Sequence, residues 1–131
     1  MRILSTHHVS LSTPNIARLR AFYGDTLGLP IVGGFAEPRI DFFDVGGVAI
    51  EIEQVDPSSP GAGRTGWNHV AWEVADVDAT YAELSARGVP FRVPPEDFPP
   101  GAPSMRIAFF VDPDGNVVEL IQPLASRNPA E

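Results

Sequence analysis

An internal repeat is the feature of this sequence that most constrains its fold. Residues 8–16 align with residues 69–77, so that His8 is paired with His69 and a valine follows each histidine. Both segments then reach an Asn or Asp of the kind that caps a helix, followed by an aliphatic residue. Self-similarity of this kind indicates two copies of one supersecondary unit.

The repeat continues in a second register further along each copy. Residues 44–52 align with residues 112–120, which pairs Glu51 with Glu119 and places aliphatic residues beside both. The second copy is longer internally, and we expect its insertion in the proline-rich residues 94–103.

Length and composition limit the chain to a single domain. Its 131 residues, 44% of them hydrophobic, are enough for one core. We predict one domain over residues 1–131, with a first module over about 3–54, a linker over 55–66 and a second module over about 67–123.

Each copy has the pattern of one strand, one helix and three further strands. Alternating apolar residues predict the strands, and apolar residues at helical spacing predict the helices. The first helix should follow Asn15 and end near Gly28, and the second should follow Asp76 and end at Gly88. The predicted strands cover residues 8–12, 30–35, 40–45, 48–53, 69–73, 89–93, 105–111 and 117–122.

These elements predict an α+β fold. Gly46-Gly47 and Asp114-Gly115 are hairpin signals, and a helix covers one face of each set of strands. We therefore expect two βαβββ modules that form an open eight-stranded, cup-shaped sheet with the helices on its outer face. The inner face carries no helix, and we expect the sheet to curl around a ligand on this side. The insertion around Phe98 is a candidate lid.

Two histidines and two glutamates occupy matched positions in the repeat. His8 and His69 lie on the first strand of each copy, and Glu51 and Glu119 lie on the last. Alternation places both glutamates opposite the aliphatic side chains, where a buried carboxylate is costly unless a partner such as a metal compensates it. Imidazole and carboxylate together suit a divalent ion such as Zn, Ni, Mn, Co or Fe. We predict that these four residues bind one such ion.

His7 is a competing ligand for the same ion. Alternation directs its side chain to the face that carries Val9 and Leu11, and its counterpart in the second copy is Asn68 rather than a histidine. His8 is therefore the better prediction.

Charge and residue usage exclude several function classes. The chain has no cysteine, so it has no disulfide framework and no thiolate nucleophile. All nine basic residues are arginine, which excludes Schiff-base lysine chemistry. A net charge of −8 argues against a nucleic-acid partner, and no apolar run approaches the roughly 18 residues of a membrane span. The start of the sequence has no signal-peptide pattern, and we expect a cytoplasmic protein.

Several segments of the sequence carry a family resemblance. They are residues 8–11, 22–23, 27–29, 68–74 and 112–120. With these segments the chain resembles the vicinal oxygen chelate superfamily, which includes glyoxalase I, methylmalonyl-CoA epimerase, extradiol dioxygenases and the fosfomycin and bleomycin resistance proteins. The resemblance implies paired βαβββ modules, a homodimer, a small-molecule substrate, and metal ligands at His8, Glu51, His69 and Glu119.

The reaction that this resemblance favours is that of glyoxalase I. Two His and two Glu imply a metal-dependent lyase or isomerase that stabilises an enediolate or enolate of a small oxygenated metabolite. By resemblance, Glu119 is the base and Glu51 is the equivalent glutamate of the other module. Glyoxalase I has an Arg four residues after its first ligand and an Asn four residues after its second, and both contact glutathione. Ser12 and Val55 stand there in this chain, so we do not expect glutathione as the substrate.

Other functions within the superfamily remain open. An extradiol-type dioxygenase would use His8, His69 and Glu119 as a triad of two histidines and one carboxylate. A resistance-type protein would sequester a ligand without turnover. A fosfomycin-type phosphonate site would need cations, and the arginines on strands that could approach the cup are Arg39, Arg92 and Arg106.

Overall fold

A computed structural model of the chain describes residues 1–59, 65–111, 113 and 115–124. Its contacts divide the chain into two compact units. One unit is residues 8–69, and the other joins residues 1–7 to the chain from Val70 onward.

Eight strands and two helices make up the described residues, in the β-α-β-β-β order that the repeat predicts for each copy. In chain order they are β1 (Ser5–Thr13), α1 (Ile16–Arg20, continued by a π-helical turn over Ala21–Thr26), β2 (Ile31–Phe35), β3 (Ile40–Asp44), β4 (Ala49–Gln54), β5 (Gly66–Glu73), α2 (Val77–Ala86), β6 (Phe91–Phe98), β7 (Met105–Val111) and β8 (Val117–Pro123).

In the unit of residues 8–69 the strand order is β2-β3-β4-β1. Strands β2, β3 and β4 pair antiparallel, whereas β1 pairs parallel to β4. The Gly46-Gly47 turn predicted between β3 and β4 is confirmed, with φ of 85° and 98°, because a tight hairpin of this type needs positive φ at both central residues. One face of these strands packs with α1 in a core formed by Leu11, Ile16, Phe43, Ile50 and Ile52.

The first helix begins where predicted but changes its geometry. Asn15 caps it, and the Asn15 side chain accepts a hydrogen bond from the backbone N–H of Arg18 at 3.1 Å. After Arg20 the chain continues as a π-helical turn, in which the N–H of Leu27 donates to the carbonyl of Phe22 at 2.9 Å.

Each helix also receives a second capping partner from the last strand of its own copy. The Gln54 Oε1 accepts from the N–H of Ile16 at 2.7 Å, and the Gln122 Oε1 accepts from the N–H of Val77 at 2.9 Å. Each glutamine lies three positions after the glutamate of the repeat, so the strand that carries each glutamate is tied to the start of its helix. This matched pair of caps extends the repeat beyond the segments that the alignment identified.

In the other unit the order is β5-β8-β7-β6, with β6, β7 and β8 antiparallel. Arg106 on β7 binds Asp78 of α2 through Nε at 2.8 Å and Nη2 at 3.0 Å, and Asp97 through Nη1 at 3.1 Å. The hydrogen bonds from Arg106 hold the pKa of Asp78 below its ordinary value. The α2 side of this unit packs around Val74, Val77, Leu84, Ala108 and Leu120.

The proline-rich insertion differs from its prediction. Strand β6 runs from Phe91 to Phe98 and therefore includes Pro94 and Pro95, which were expected in a loop. Its pairing with β7 is irregular between Val93 and Glu96, and such a bulge tolerates prolines that cannot donate to a sheet. Phe98 packs against the buried cluster of Ala71, Ile107 and Ile121 and is part of the sheet, whereas a lid formed by the rest of the insertion stays a prediction.

Other predicted segments fall outside the described residues. Part of the predicted linker, residues 60–64, lies there, and so do Asp112 and Asp114 of the second predicted turn. Among the described residues, neither helix has the length and apolarity needed to cross a membrane.

Candidate metal centre

The polar face of β1 is buried rather than exposed to solvent. His8, Ser10 and Ser12 alternate along this face, and their exposed fractions are 1%, 0% and 6%. The parallel pairing of β1 with β4 places Ser10 beside Glu51. Burial of so many polar groups is costly unless they bind partners, so this face is built for polar contacts.

Three of the four predicted ligands of the metal lie together. His8, Glu51 and His69 each offer one ligand atom, and these atoms all lie within 4.8 Å of one another. The Nε2 of His8 is 3.6 Å from the Oε1 of Glu51, and the Nε2 of His69 is 4.0 Å from the same oxygen. The two imidazole rings meet edge to face with centroids 5.5 Å apart.

These three residues fit a divalent ion in both chemistry and spacing. A first-row ion binds nitrogen and oxygen at about 2.0–2.2 Å, which places neighbouring ligand atoms roughly 3.0–3.5 Å apart. The observed distances from Glu51 to the histidines, 3.6 and 4.0 Å, are close to that range, so small side-chain rotations would complete the geometry. Two imidazoles with one carboxylate are ligands that Zn, Ni, Mn, Co and Fe(II) all accept.

Hydrogen bonds orient two of the three candidate ligands. The Ser10 hydroxyl donates to the Oε1 of Glu51 at 2.9 Å. The Nδ1 of His69 donates to the Oδ1 of Asn68 at 2.5 Å, and the Nδ2 of Asn68 donates to the hydroxyl of Ser12. With the proton on Nδ1, the Nε2 of His69 presents its lone pair, which is the form of imidazole that binds a metal.

The contribution of Asn68 was missed by sequence reasoning. The repeat pairs Asn68 with His7, and simple alternation along a strand directs neighbouring side chains to opposite faces. The amide of Asn68 nevertheless contacts both the ring of His69 and the hydroxyl of Ser12. A polar residue directly before a candidate ligand is the sequence signal that could have identified it.

An aromatic wall borders the same three residues. Phe42 is paired with Glu51 across β3 and β4, and its ring contacts the ring of His8 edge to face at 5.7 Å. The ring of Phe35 contacts Phe42 in the same way at 6.1 Å. Phe35 and Phe42 therefore supply an apolar wall beside the candidate ligands.

The remaining candidates are not members of this three-residue group. Glu119 is 4% exposed on β8 of the other unit, where it is paired with Phe109. In the part of the chain that the structure describes, the three-residue group does not include His7. Arg106, a candidate for a phosphonate site, is instead committed to Asp78 and Asp97.

Comparison with known proteins agrees with this structure. The family model of the Glyoxalase/Bleomycin resistance protein/Dioxygenase superfamily matches residues 5–120. The uncharacterized protein YraH of Bacillus subtilis (strain 168) is 33% identical over 113 residues, which are 79% of this chain and 86% of that protein. The uncharacterized protein YaeR of Escherichia coli (strain K12) is 30% identical over 130 residues, which are 88% of this chain and 94% of that protein.

A solved structure also shares the fold. A Streptomyces coelicolor methylmalonyl-CoA epimerase variant, in complex with 2-nitronate-propionyl-CoA, superposes with a TM-score of 0.78 at 22% sequence identity. The match covers 95% of this chain and 97% of the epimerase. The predicted α+β fold of two βαβββ modules is therefore confirmed, as is the family resemblance that the sequence motifs carried.

Proposed function

Because the chain belongs to the Glyoxalase/Bleomycin resistance protein/Dioxygenase superfamily, we propose that it is a divalent-metal-dependent lyase or isomerase of the glyoxalase type. Its reaction would stabilise an enediolate or enolate of a small oxygenated metabolite. The observation that carries this proposal is the convergence of His8, Glu51 and His69 on a buried polar face. The ion is a Zn, Ni, Mn, Co or Fe ion, and Glu119 is its fourth ligand by its match to Glu51 in the repeat.

The protein's own residues would prepare the site in a definite way. A divalent ion held by His8, Glu51 and His69 would supply Lewis acidity to the oxygens of the substrate. Ser10 fixes one oxygen of Glu51, and Asn68 fixes the ring of His69. A glutamate would move the proton of the substrate, with Glu119 as the base and Glu51 as the equivalent glutamate of the other module.

The surroundings of the site also support a substrate class. Ser12 accepts a hydrogen bond from Asn68, so its hydroxyl is already engaged at the position where glyoxalase I has a glutathione-binding arginine. Phe35 and Phe42 line the border of the site and favour an apolar substituent on the substrate. We therefore propose a small 2-oxo or 2-hydroxy compound that is not a glutathione adduct.

Proton exchange at carbon tests this function. Candidate 2-oxo and 2-hydroxy compounds are incubated with the native protein in D₂O, and deuterium at the carbon next to the carbonyl is followed by NMR. We expect exchange that is lost on chelation of the metal and restored by adding a divalent ion, because enolate formation needs the Lewis acid. Binding of the compounds without exchange or product would contradict the proposal and favour a ligand-sequestering protein.

A second candidate is an extradiol-type dioxygenase. The group of two imidazoles and one carboxylate has the composition of the triad that such enzymes use, although its carboxylate is Glu51 where the sequence predicted Glu119. Uptake of oxygen with catechols, in place of proton exchange, would favour this function.

The proposal includes two further properties of the protein. It is a homodimer, which the family likeness supports. It is cytoplasmic, which the absence of cysteine supports because disulfides are characteristic of oxidising compartments.

A further inference from the structure

We propose that Asn68 is a positioning residue that sets which nitrogen of His69 carries the proton and thereby sets the affinity of the site for its metal. The inference rests on the proposed function, because it assigns a role within the same metal site. It starts from a chain of two hydrogen bonds, from His69 to Asn68 and from Asn68 to Ser12.

The observed orientation of the Asn68 amide is consistent with one tautomer of His69. A neutral imidazole has one N–H donor and one lone pair, and a metal takes the nitrogen that has the lone pair. Asn68 places its Oδ1, which accepts hydrogen bonds only, 2.5 Å from the Nδ1 of His69. The proton is therefore held on Nδ1. The Nε2, which carries the lone pair, lies 4.0 Å from the Oε1 of Glu51.

Ser12 is the second hydrogen-bond partner of the Asn68 amide. The Nδ2 of Asn68 donates to the Ser12 hydroxyl, and Ser12 is 6% exposed on the buried polar face of β1. If the amide rotated by half a turn, its Nδ2 would face the Nδ1 of His69 and would favour the other tautomer, with the proton on Nε2, because the Ser12 hydroxyl can donate to Oδ1 as well as accept from Nδ2. The hydroxyl on β1 is linked to the imidazole on β5 through the amide between them, and the orientation of that amide decides which nitrogen of His69 carries the proton.

The expected size of the effect follows from other metal sites. Removing the group that accepts a hydrogen bond from a metal-binding histidine costs about 10- to 100-fold in metal affinity. We expect Asn68→Ala to weaken Zn²⁺ binding by that factor. Asn68→Asp keeps an acceptor oxygen at the same position and should retain the affinity of the native protein. Asn116→Ala, an asparagine replacement at an exposed position outside this site, is the matched control.

Two measurements on the same proteins test the inference. Long-range ¹H–¹⁵N correlation spectra of the metal-free protein report the protonated nitrogen of each imidazole, and the chain has only three histidines. Competition with a chromophoric chelator then reports the affinity for Zn²⁺. We expect Nδ1–H at His69 in the native protein and in Asn68→Asp, and a shift toward Nε2–H with weaker binding in Asn68→Ala.

The two readouts separate this inference from the proposed function. An unchanged His69 tautomer and an unchanged Zn²⁺ affinity in Asn68→Ala would overturn the inference. If the native protein bound no Zn²⁺ while the tautomer of His69 still depended on Asn68, the metal function would fail and the positioning role would stand. The spectra also show whether each variant is folded, and Asn68→Asp restores the acceptor if the alanine variant is not.

Discussion

Replacing Glu51 by glutamine is expected to abolish stoichiometric metal binding. Glutamine keeps the size of the side chain and an oxygen that can accept from Ser10, but it removes the negative charge that balances a divalent ion. The loss should exceed about 100-fold in affinity, because changes to residues that merely orient a ligand cost about 10- to 100-fold. His69→Ala should have the same effect, since it removes one of the two imidazoles of the group.

Elemental analysis of protein purified without added metal measures this loss directly. Glu53→Gln is the matched control, because Glu53 lies two positions further along β4 and is not a member of the three-residue group. It should retain the metal content of the native protein. Equal metal content in the Glu51 and Glu53 variants would contradict the assignment of Glu51 as a ligand.

The largest effect on stability is expected from Phe43→Ala. Phe43 is completely buried in the core beneath α1, where it packs with Leu11, Ile16 and Ile52. Truncation of a buried phenylalanine removes its burial and leaves a cavity, which costs about 3–5 kcal/mol in the free energy of unfolding. A domain of this size is stable by only about 5–15 kcal/mol, so the variant should unfold at much lower urea concentrations.

Urea unfolding of an exposed counterpart provides the comparison. Phe22 is 46% exposed in the π-helical turn, although its ring contacts Tyr23. Phe22→Ala should lower the free energy of unfolding by less than about 1.5 kcal/mol, since nearly half of its surface is already in water. Similar losses in the two variants would mean that the core does not centre on Phe43.

The internal repeat is the main reason that the order of the elements could be predicted from the sequence. Matched residues in both copies predicted the order of the elements and the grouping of His8 with His69 and Glu51, which the structure brings together. Alternation and turn residues are local properties, so the Gly46-Gly47 turn could be identified without knowledge of the tertiary structure. That Glu119 binds the same ion as these three residues rests on the repeat and on the family resemblance, and it stays a prediction.

Features that depend on tertiary contacts were not predicted. Pro94 and Pro95 argue locally against a strand, yet an irregular pairing with β7 admits them into β6. The π-helical turn brings Gly24 so close to Phe43 that a Cβ would lie 3.3 Å from its ring, a packing constraint that helical periodicity does not contain. Asn68 was missed for a similar reason, because alternation describes one strand and its partner Ser12 lies on another.

Anomalous X-ray diffraction from crystals of the native protein tests most directly whether His8, Glu51 and His69 hold one divalent ion. We expect a single anomalous peak at about 2.0–2.2 Å from an imidazole nitrogen of each histidine and from a carboxylate oxygen of Glu51. A bound metal held by other residues, or none at these three in crystals soaked with Zn²⁺, would contradict the metal site and the function proposed from it.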